Sequence, residues 1–190
     1  MAATLTAVQL AIKNGLIAEP TQSVIDAITG RNDSFLASWC NELHPSVKAW
    51  RATAPWLEVA NVIDFAKYTP SAANLPVDIT GLNKLMAILI KLTVQQNMAL
   101  MMTAGVNAKD AGTMDALLDS VTAIPSGALG ANTSPGGASG VNVATVLIRT
   151  ATRGQVYAGG VDVTKGTVTA KVLVFEGRIE TSDIGLMFNP

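Results

Sequence analysis

Residues 80–104 read TGLNKLMAILIKLTVQQNMALMMTA. The apolar positions Leu82, Leu85, Met86, Ile88, Leu89, Leu92, Met98, Leu100, Met101 and Met102 go most of the way round a helical period. This predicts the longest helix of the chain, with Gly105 as its terminator. A helix that is apolar on all sides has to be covered, either at the centre of a domain or between subunits. The window Leu82–Val106 is the most membrane-like one, yet it holds Lys84, Lys91, Gln95, Gln96 and Asn97. A membrane span needs about 20 mostly apolar residues, so a buried soluble helix is expected and no membrane partner.

Shorter helices are expected on the N-terminal side. Residues 4–14 place Leu5, Val8, Leu10 and Ile12 at apolar positions, and Gly15 is expected to stop that helix. Pro20–Thr29 carries Val24, Ile25 and Ile28 on one face, with Gly30 as terminator. Asn32 or Asp33 can cap a helix over Ser34–Leu43 that turns Phe35, Leu36 and Trp39 inward. His44-Pro45 breaks it, because the residue before a proline avoids the helical region. A helix over 53–66 is expected from Thr53 as cap, with Trp56, Val59, Val62 and Ile63 as its stripe. Thr69–Pro76 reads as a loop.

On the C-terminal side, 108–122 is amphipathic, with Met114, Leu117, Leu118 and Val121 inward and Asp110, Asp115 and Asp119 outward. Residues 125–140 mix Pro125 and Pro135 with glycine, serine, alanine and threonine, the composition of a flexible loop or extended arm. Val141–Ala158 returns to helical spacing and puts Arg149 and Arg153 one turn apart on one face. From Val168 to Phe175 the period is two, which predicts a strand, and Val161-Asp162-Val163 is placed to pair with it as a β-hairpin. Thr181-Ser182-Asp183 caps a last helical turn ending at Leu186, Met187 and Phe188. The expected fold class is therefore mainly α: a helical bundle around a long central helix, with a C-terminal hairpin and a Gly-rich arm. The expected organisation is a helical domain at 1–124, the arm at 125–140, and 141–190 packed on the helical domain to make one domain overall.

Bulk composition narrows the function classes. Hydrophobic residues make up 49% of the 190 and charged residues 14%, against roughly 25% charged in a typical domain. Such a chain fills a core, and its weakly hydrated surface points to burial against another subunit. Thirteen basic residues against 14 acidic ones, net charge −1, give no basic surface for reading nucleic acid. One cysteine and one histidine exclude a disulfide framework and a zinc site built from these residues. No signal peptide is visible at the N-terminus.

Chemistry-bearing constellations are scarce. Cys40 and His44 are four apart, a spacing that a continuing helix brings together, but Pro45 ends the helix and no third group orients the pair. The glycines of 127–140 lack a Gly-Lys-Ser/Thr sequence and a preceding strand, so they are not a phosphate loop. Asp110, Asp115 and Asp119 read as the solvated face of a helix rather than a metal cluster. Pairing with that acidic face is the expected use of Arg149 and Arg153. No catalytic, cofactor or metal residue is assigned. The interaction residues assigned are Gly127, Gly130, Pro135, Gly136, Gly137 and Gly140 of the arm, Arg149 and Arg153, Val172 and Val174 of the hairpin, and Phe188.

Three stretches together carry a resemblance. The first is Ser38-Trp39-Cys40-Asn41, followed by Val47-Lys48-Ala49-Trp50-Arg51-Ala52 and Leu57-Glu58-Val59. The second is Ile124–Asn132. The third is Thr150-Ala151-Thr152-Arg153-Gly154 with Leu173-Val174-Phe175-Glu176-Gly177-Arg178-Ile179. In this order and spacing, from about residue 5 to 184, the chain resembles a family of small proteins of tailed bacteriophages encoded among the head and head–tail joining genes. Cys40 stands where an aromatic is usual, and Gly154 where a small helix former is usual, so a shorter or bent helix is expected after Arg153. The resemblance implies a virion structural protein of the neck, made in the host cytoplasm and without enzymatic activity. Its most specific form is a head-to-tail connector, or adaptor: a homo-oligomeric ring of twelve that binds the portal protein and the downstream neck or tail proteins. Such a ring encloses the double-stranded DNA channel without sequence-specific binding. Other virion roles (capsid decoration, tail completion, tail tube) are the alternative, and a small enzyme using Cys40 and His44 is the remote one.

Overall fold

The computed structural model describes residues 5–62, 86, 89, 93, 96, 105–113, 143–165 and 168–188. In chain order the elements are α1 (Ala7–Ala18), α2 (Gln22–Thr29), α3 (Asp33–Asn41), β1 (Leu43–Trp50), α4 (Trp56–Ala60), a 3-10 turn (Val143–Leu147), β2 (Ile148–Thr152), α5 (Arg153–Ala158), β3 (Gly160–Lys165), β4 (Val168–Leu173) and α6 (Thr181–Phe188). The strands form one four-stranded mixed sheet in the order β2-β1-β4-β3. β1 and β4 run parallel, with Ala49 beside Lys171.

This sheet corrects the expected fold class. The protein is mixed α/β, not a mainly α bundle around a long central helix. Two strands lie where the sequence predicted none. β1 contains Pro45, which cannot donate a ladder hydrogen bond, so the stretch reads as a helix break. The proline sits near the start of β1, and the strand runs on to Trp50. β2 was hidden inside the helical reading of 141–158. Its Ile148, Thr150 and Thr152 alternate and favour an extended chain. Thr152 then starts α5 afresh: its hydroxyl accepts from the Gln155 N–H while the Gln155 side chain accepts from the Thr152 N–H. Of residues 80–104, the described ones are Met86, Leu89, Thr93 and Gln96. They are helical and all exposed.

The chain divides into two units. Unit 1 comprises Met1–Ala49, Arg149–Val163 and Ala170–Pro190. Its core gathers Ile12 and Leu16 of α1, Val24 and Ala27 of α2, Leu36, Ala37 and Cys40 of α3, Ala158 of α5, and Ile179, Ile184 and Met187. Burying one such Leu, Ile or Met contributes about 1.5–3 kcal/mol. On the sheet, Ala49, Ala151 and Leu173 pack with Val47 and Val156. α1 runs through Gly15 instead of ending there. The reason is long-range: the Tyr157 ring lies on the helix at this point, and a Cβ on Gly15 would fall 2.5 Å from Tyr157 Cγ. α2 ends in a Schellman turn. The Arg31 N–H donates to Ile28 O and the Asn32 N–H to Ala27 O, and Arg31, not Gly30, takes the left-handed position at φ 53°. The Asn32 side chain then caps α3 by accepting from the Phe35 N–H.

Unit 2 comprises Trp50–Ile148 and Thr164–Thr169. Ala54 and Val106 exchange backbone hydrogen bonds in an antiparallel bridge. The Arg51 N–H donates to Leu147 O, and Arg51 O accepts from the Ala108 N–H. Ala54, Val59, Val106 and Leu147 are fully buried. Pro55, not Thr53, holds the N-cap position of α4, without a side-chain cap bond, and Asn61 and Val62 follow the helix as a turn. Residues 111–113 begin the expected helix at 108–122; its remainder, the loop at 69–76 and the arm at 125–140 lie outside the described residues.

Candidate functional site

A polar cluster of unit 1 forms where α3, β1 and α5 meet. α3 ends at Asn41, and the chain turns through Glu42 into β1. α5 begins at Arg153, whose N–H donates to Glu42 O at 2.9 Å. This backbone bond brings the first turn of α5 beside the last turn of α3. The Arg153 guanidinium then does two things. It donates to Glu42 Oε2 at 2.6 Å, and its carbon lies 3.5 Å from the centroid of the Trp39 ring. A stacked guanidinium of this kind is worth about 0.5–2 kcal/mol.

One turn along α5, Tyr157 extends the cluster. Its hydroxyl donates to Glu19 Oε2 at 2.7 Å and accepts from Trp39 Nε1–H at 3.2 Å. The Thr21 hydroxyl donates to the second oxygen, Glu19 Oε1, at 2.7 Å. The Tyr157 hydroxyl bond, helped by Thr21, holds the Glu19 carboxyl below its usual range. Burial, with the Glu19 bond second, pushes Tyr157 up to about 12. A cleft of about 180 Å³ opens beside these residues, with His44 and Pro45 on its wall.

A second knot ties β2 to the chain after β4. Gln155 is 5% exposed. Its Oε1 accepts from the Thr152 N–H and from Arg149 Nη1, and its Nε2 donates to Glu176 O and Gly177 O. Arg149 Nη2 pairs with Glu176 Oε2. A buried amide this fully bonded fixes the segment it touches. Asn41 does the same one step away: Oδ1 accepts from the Ile179 N–H at 3.0 Å, and Nδ2 donates to Ile179 O at 2.7 Å.

The assigned residues are thereby placed. Arg149 lies on β2 and Arg153 opens α5, so they do not share a helix face; among the described residues they pair with Glu176 and Glu42, and Asp115 and Asp119 lie outside the described residues. Val172 is half-buried on β4, while Val174 just beyond it is 66% exposed. Phe188 ends α6 half-buried, with Lys13 Nζ 5.4 Å from its ring centroid. Gly127, Gly130, Pro135, Gly136, Gly137 and Gly140 lie outside the described residues. Cys40 is fully buried in α3, and burial pushes its thiol up to about 12. His44 Nδ1 accepts from the Ser46 and Val47 N–H groups. Because α3 stops at Asn41, helical spacing does not bring His44 to Cys40. Among the described residues no group of His, Cys, Asp and Glu is arranged to hold a metal ion.

Sequence reasoning missed Glu19, Glu42, Gln155 and Tyr157. Gln155 alone had a local signal, the Thr-x-x-Gln capping pattern at 152–155. The others act across more than a hundred residues, where no spacing rule reaches. No family model, curated protein or solved structure matches the chain.

Proposed function

We propose that this chain is a structural subunit of a tailed-bacteriophage virion, and that it serves as the head-to-tail connector, a ring between portal and tail that performs no reaction of its own. The observation that supports this reading is that the first and third of the stretches that carry the resemblance meet in unit 1; the second lies outside the described residues. Trp39, Cys40 and Asn41 of the first meet Arg153 and Gly154 of the third, and both meet the segment ending at Ile179. Arg153 stacks on Trp39, Gly154 lies against Cys40 and Ile179, and Asn41 grips the Ile179 backbone. Residues of the first and third stretches are here among those that fasten the fold of unit 1.

Two further features suit the role. Large apolar side chains stand exposed in both units: Val161 at 68% and Leu43 at 64% in unit 1, Leu57 at 70% and Met86 at 58% in unit 2. Apolar surface of this kind is what subunit contacts cover. The cations Arg51, Arg149, Arg153 and Lys171 are each paired with a carboxylate of their own chain. A wall of neutralised cations lets DNA pass, whereas bare ones would hold its phosphates.

The test is the composition of purified virions by quantitative mass spectrometry, with negative-stain images of the protein alone and with portal. A connector is expected at about a dozen copies, matching the portal's symmetry. Copies in the hundreds would make it a decoration or tail-tube protein, and its absence from virions would end the proposal.

A further inference from the structure

Asn14-Gly15 is the one asparagine–glycine pair in the 190 residues. In a flexible chain this dipeptide is chemically unstable. The Gly15 nitrogen attacks the Asn14 carboxamide carbon, and no Cβ on the glycine hinders the approach. An N–C bond forms, the Cγ–Nδ2 bond breaks, and the proton of the attacking nitrogen leaves with the displaced amine as ammonia. Water then opens the succinimide ring at either carbonyl. The product is aspartate or, with an extra carbon in the main chain, isoaspartate. The fold treats the two reacting groups differently. The Asn14 side chain is exposed, and among the described residues its carboxamide makes no hydrogen bond. The Gly15 nitrogen is withheld. It lies inside α1, whose N–H groups are engaged in the i→i−4 ladder. Ring closure therefore requires this turn of the helix to open first.

We propose that Asn14-Gly15 is a latent site of spontaneous deamidation, held shut by the packing of Tyr157 on the last turn of α1. The Tyr157 ring lies so close over Gly15 that a Cβ there would fall 2.5 Å from Cγ and 2.6 Å from Cδ1. Only glycine fits under the ring as it stands, so the packing that shuts the site also requires the residue that makes it reactive. The Tyr157 hydroxyl donates to Glu19 Oε2 at 2.7 Å, and Glu19 is the C-cap of the helix. The Glu19 N–H in turn donates to Leu16 O at 3.2 Å, and Leu16 is fully buried. Asn14 thus reacts only in the fraction of molecules whose last α1 turn has come away from α5. The reaction also prevents a clean return. Isoaspartate lengthens the main chain and breaks the spacing of the ladder. Aspartate places a negative charge toward the C-terminal end of the helix, where the helix dipole disfavours it. The modified residue is a one-way mark of a chain that has opened. The inference goes beyond the connector reading and stands if that reading fails.

The test is a deamidation time course on the full-length protein in mildly alkaline buffer, with and without denaturing urea. Cleavage after Glu19 releases residues 1–19, in which Asn14 is the only asparagine. Chromatography with mass spectrometry then counts aspartate and isoaspartate at that position. The rate in urea is expected to exceed the rate in buffer at least about tenfold, because the open fraction sets the native rate. Equal rates, or no product in urea, would overturn the site. The lock is tested in buffer by Tyr157→Ala and by Tyr157→Phe, which keeps the ring and loses the Glu19 bond. Both are compared with Leu173→Ala, a truncation in the separate sheet cluster of the same unit. Rates are compared at matched stability, adjusted with low urea. Tyr157→Ala is expected to react fastest and Tyr157→Phe faster than Leu173→Ala. If Tyr157→Ala lacks native circular dichroism, Tyr157→Phe decides alone. Tyrosine variants no faster than Leu173→Ala would show that Tyr157 is not what holds the site shut.

Discussion

The Arg153 guanidinium carbon lies over the Trp39 ring, 3.5 Å from its centroid, while its Nη1 reaches Glu42 at 2.6 Å. Tyr157, one turn on, holds the indole N–H of the same Trp39. One ring is thus clamped on its face and at its edge by a single short helix.

Arg153→Ala is expected to lower unfolding free energy by about 1–2 kcal/mol, the sum of a partly exposed ion pair and a cation–π contact. Arg153→Lys keeps the charge but not the planar stack, and should recover less than half of that loss. Urea denaturation followed by tryptophan fluorescence measures both. A lysine variant as stable as the native chain would show that the stack contributes nothing.

Two glycines should behave against helix propensity. Gly15→Ala in an open helix would stabilise by up to about 1 kcal/mol. Here the new methyl meets the Tyr157 ring at 2.5 Å, so a loss of about 1–3 kcal/mol is expected from overpacking. Gly154→Ala is the milder case, with Cys40 Cβ and Ile179 Cγ1 both at 3.1 Å. The order of melting temperatures should be native, Gly154→Ala, Gly15→Ala.

Arg31→Gly should stabilise. Arg31 holds the left-handed position that ends α2 at φ 53°, a conformation costing a non-glycine residue about 1–2 kcal/mol. Part of that gain is offset by the larger entropy of glycine in the unfolded chain. A rise of about 0.5–1 kcal/mol in thermal or urea unfolding is expected; a fall would mean that the arginine side chain holds a contact worth more than the strain.

Stability should fall on the alkaline side. Burial pushes Cys40 from 9.0 to about 12, and burial with the Glu19 bond pushes Tyr157 from 10.0 to about 12. In the unfolded chain both lose their protons at the ordinary, lower values. The unfolded state is therefore favoured progressively from about pH 9, and the contribution of these two groups is gone above about pH 12. Urea midpoints between pH 8 and 11 should decline, less steeply in Tyr157→Phe. Glu19, held low chiefly by Tyr157, works the other way: its contribution is full above the ordinary carboxylate range and is lost as pH falls through its lowered value. The native Cys40 thiol should also resist a thiol reagent at pH 8 until urea exposes it.

Much of the local structure was legible. Asn32 before an apolar run is a cap, and it caps α3. Alternation at 168–173 is a strand, and Thr181–Asp183 opens a helix that ends at Phe188. These signals lie within one turn or one pleat. β1 was not legible, because an eight-residue stretch holding a proline becomes an inner strand only when β2 and β4, about a hundred residues later, flank it. Gly15 read as a helix stop for the same reason: nothing near it announces a tyrosine ring arriving from residue 157.

The sequence by itself determined the short-range elements and the surface chemistry: caps, the alternating strand, few charges, one cysteine and one histidine. Tertiary structure decided the fold class, the partners of Arg149 and Arg153, and the place of Gly15 and Gly154. Short-range preferences are set by the backbone's own dihedral and hydrogen-bond energetics. Sheet order, ion pairs and close approaches depend on which distant residues arrive beside each other, and only burial of the whole core selects that.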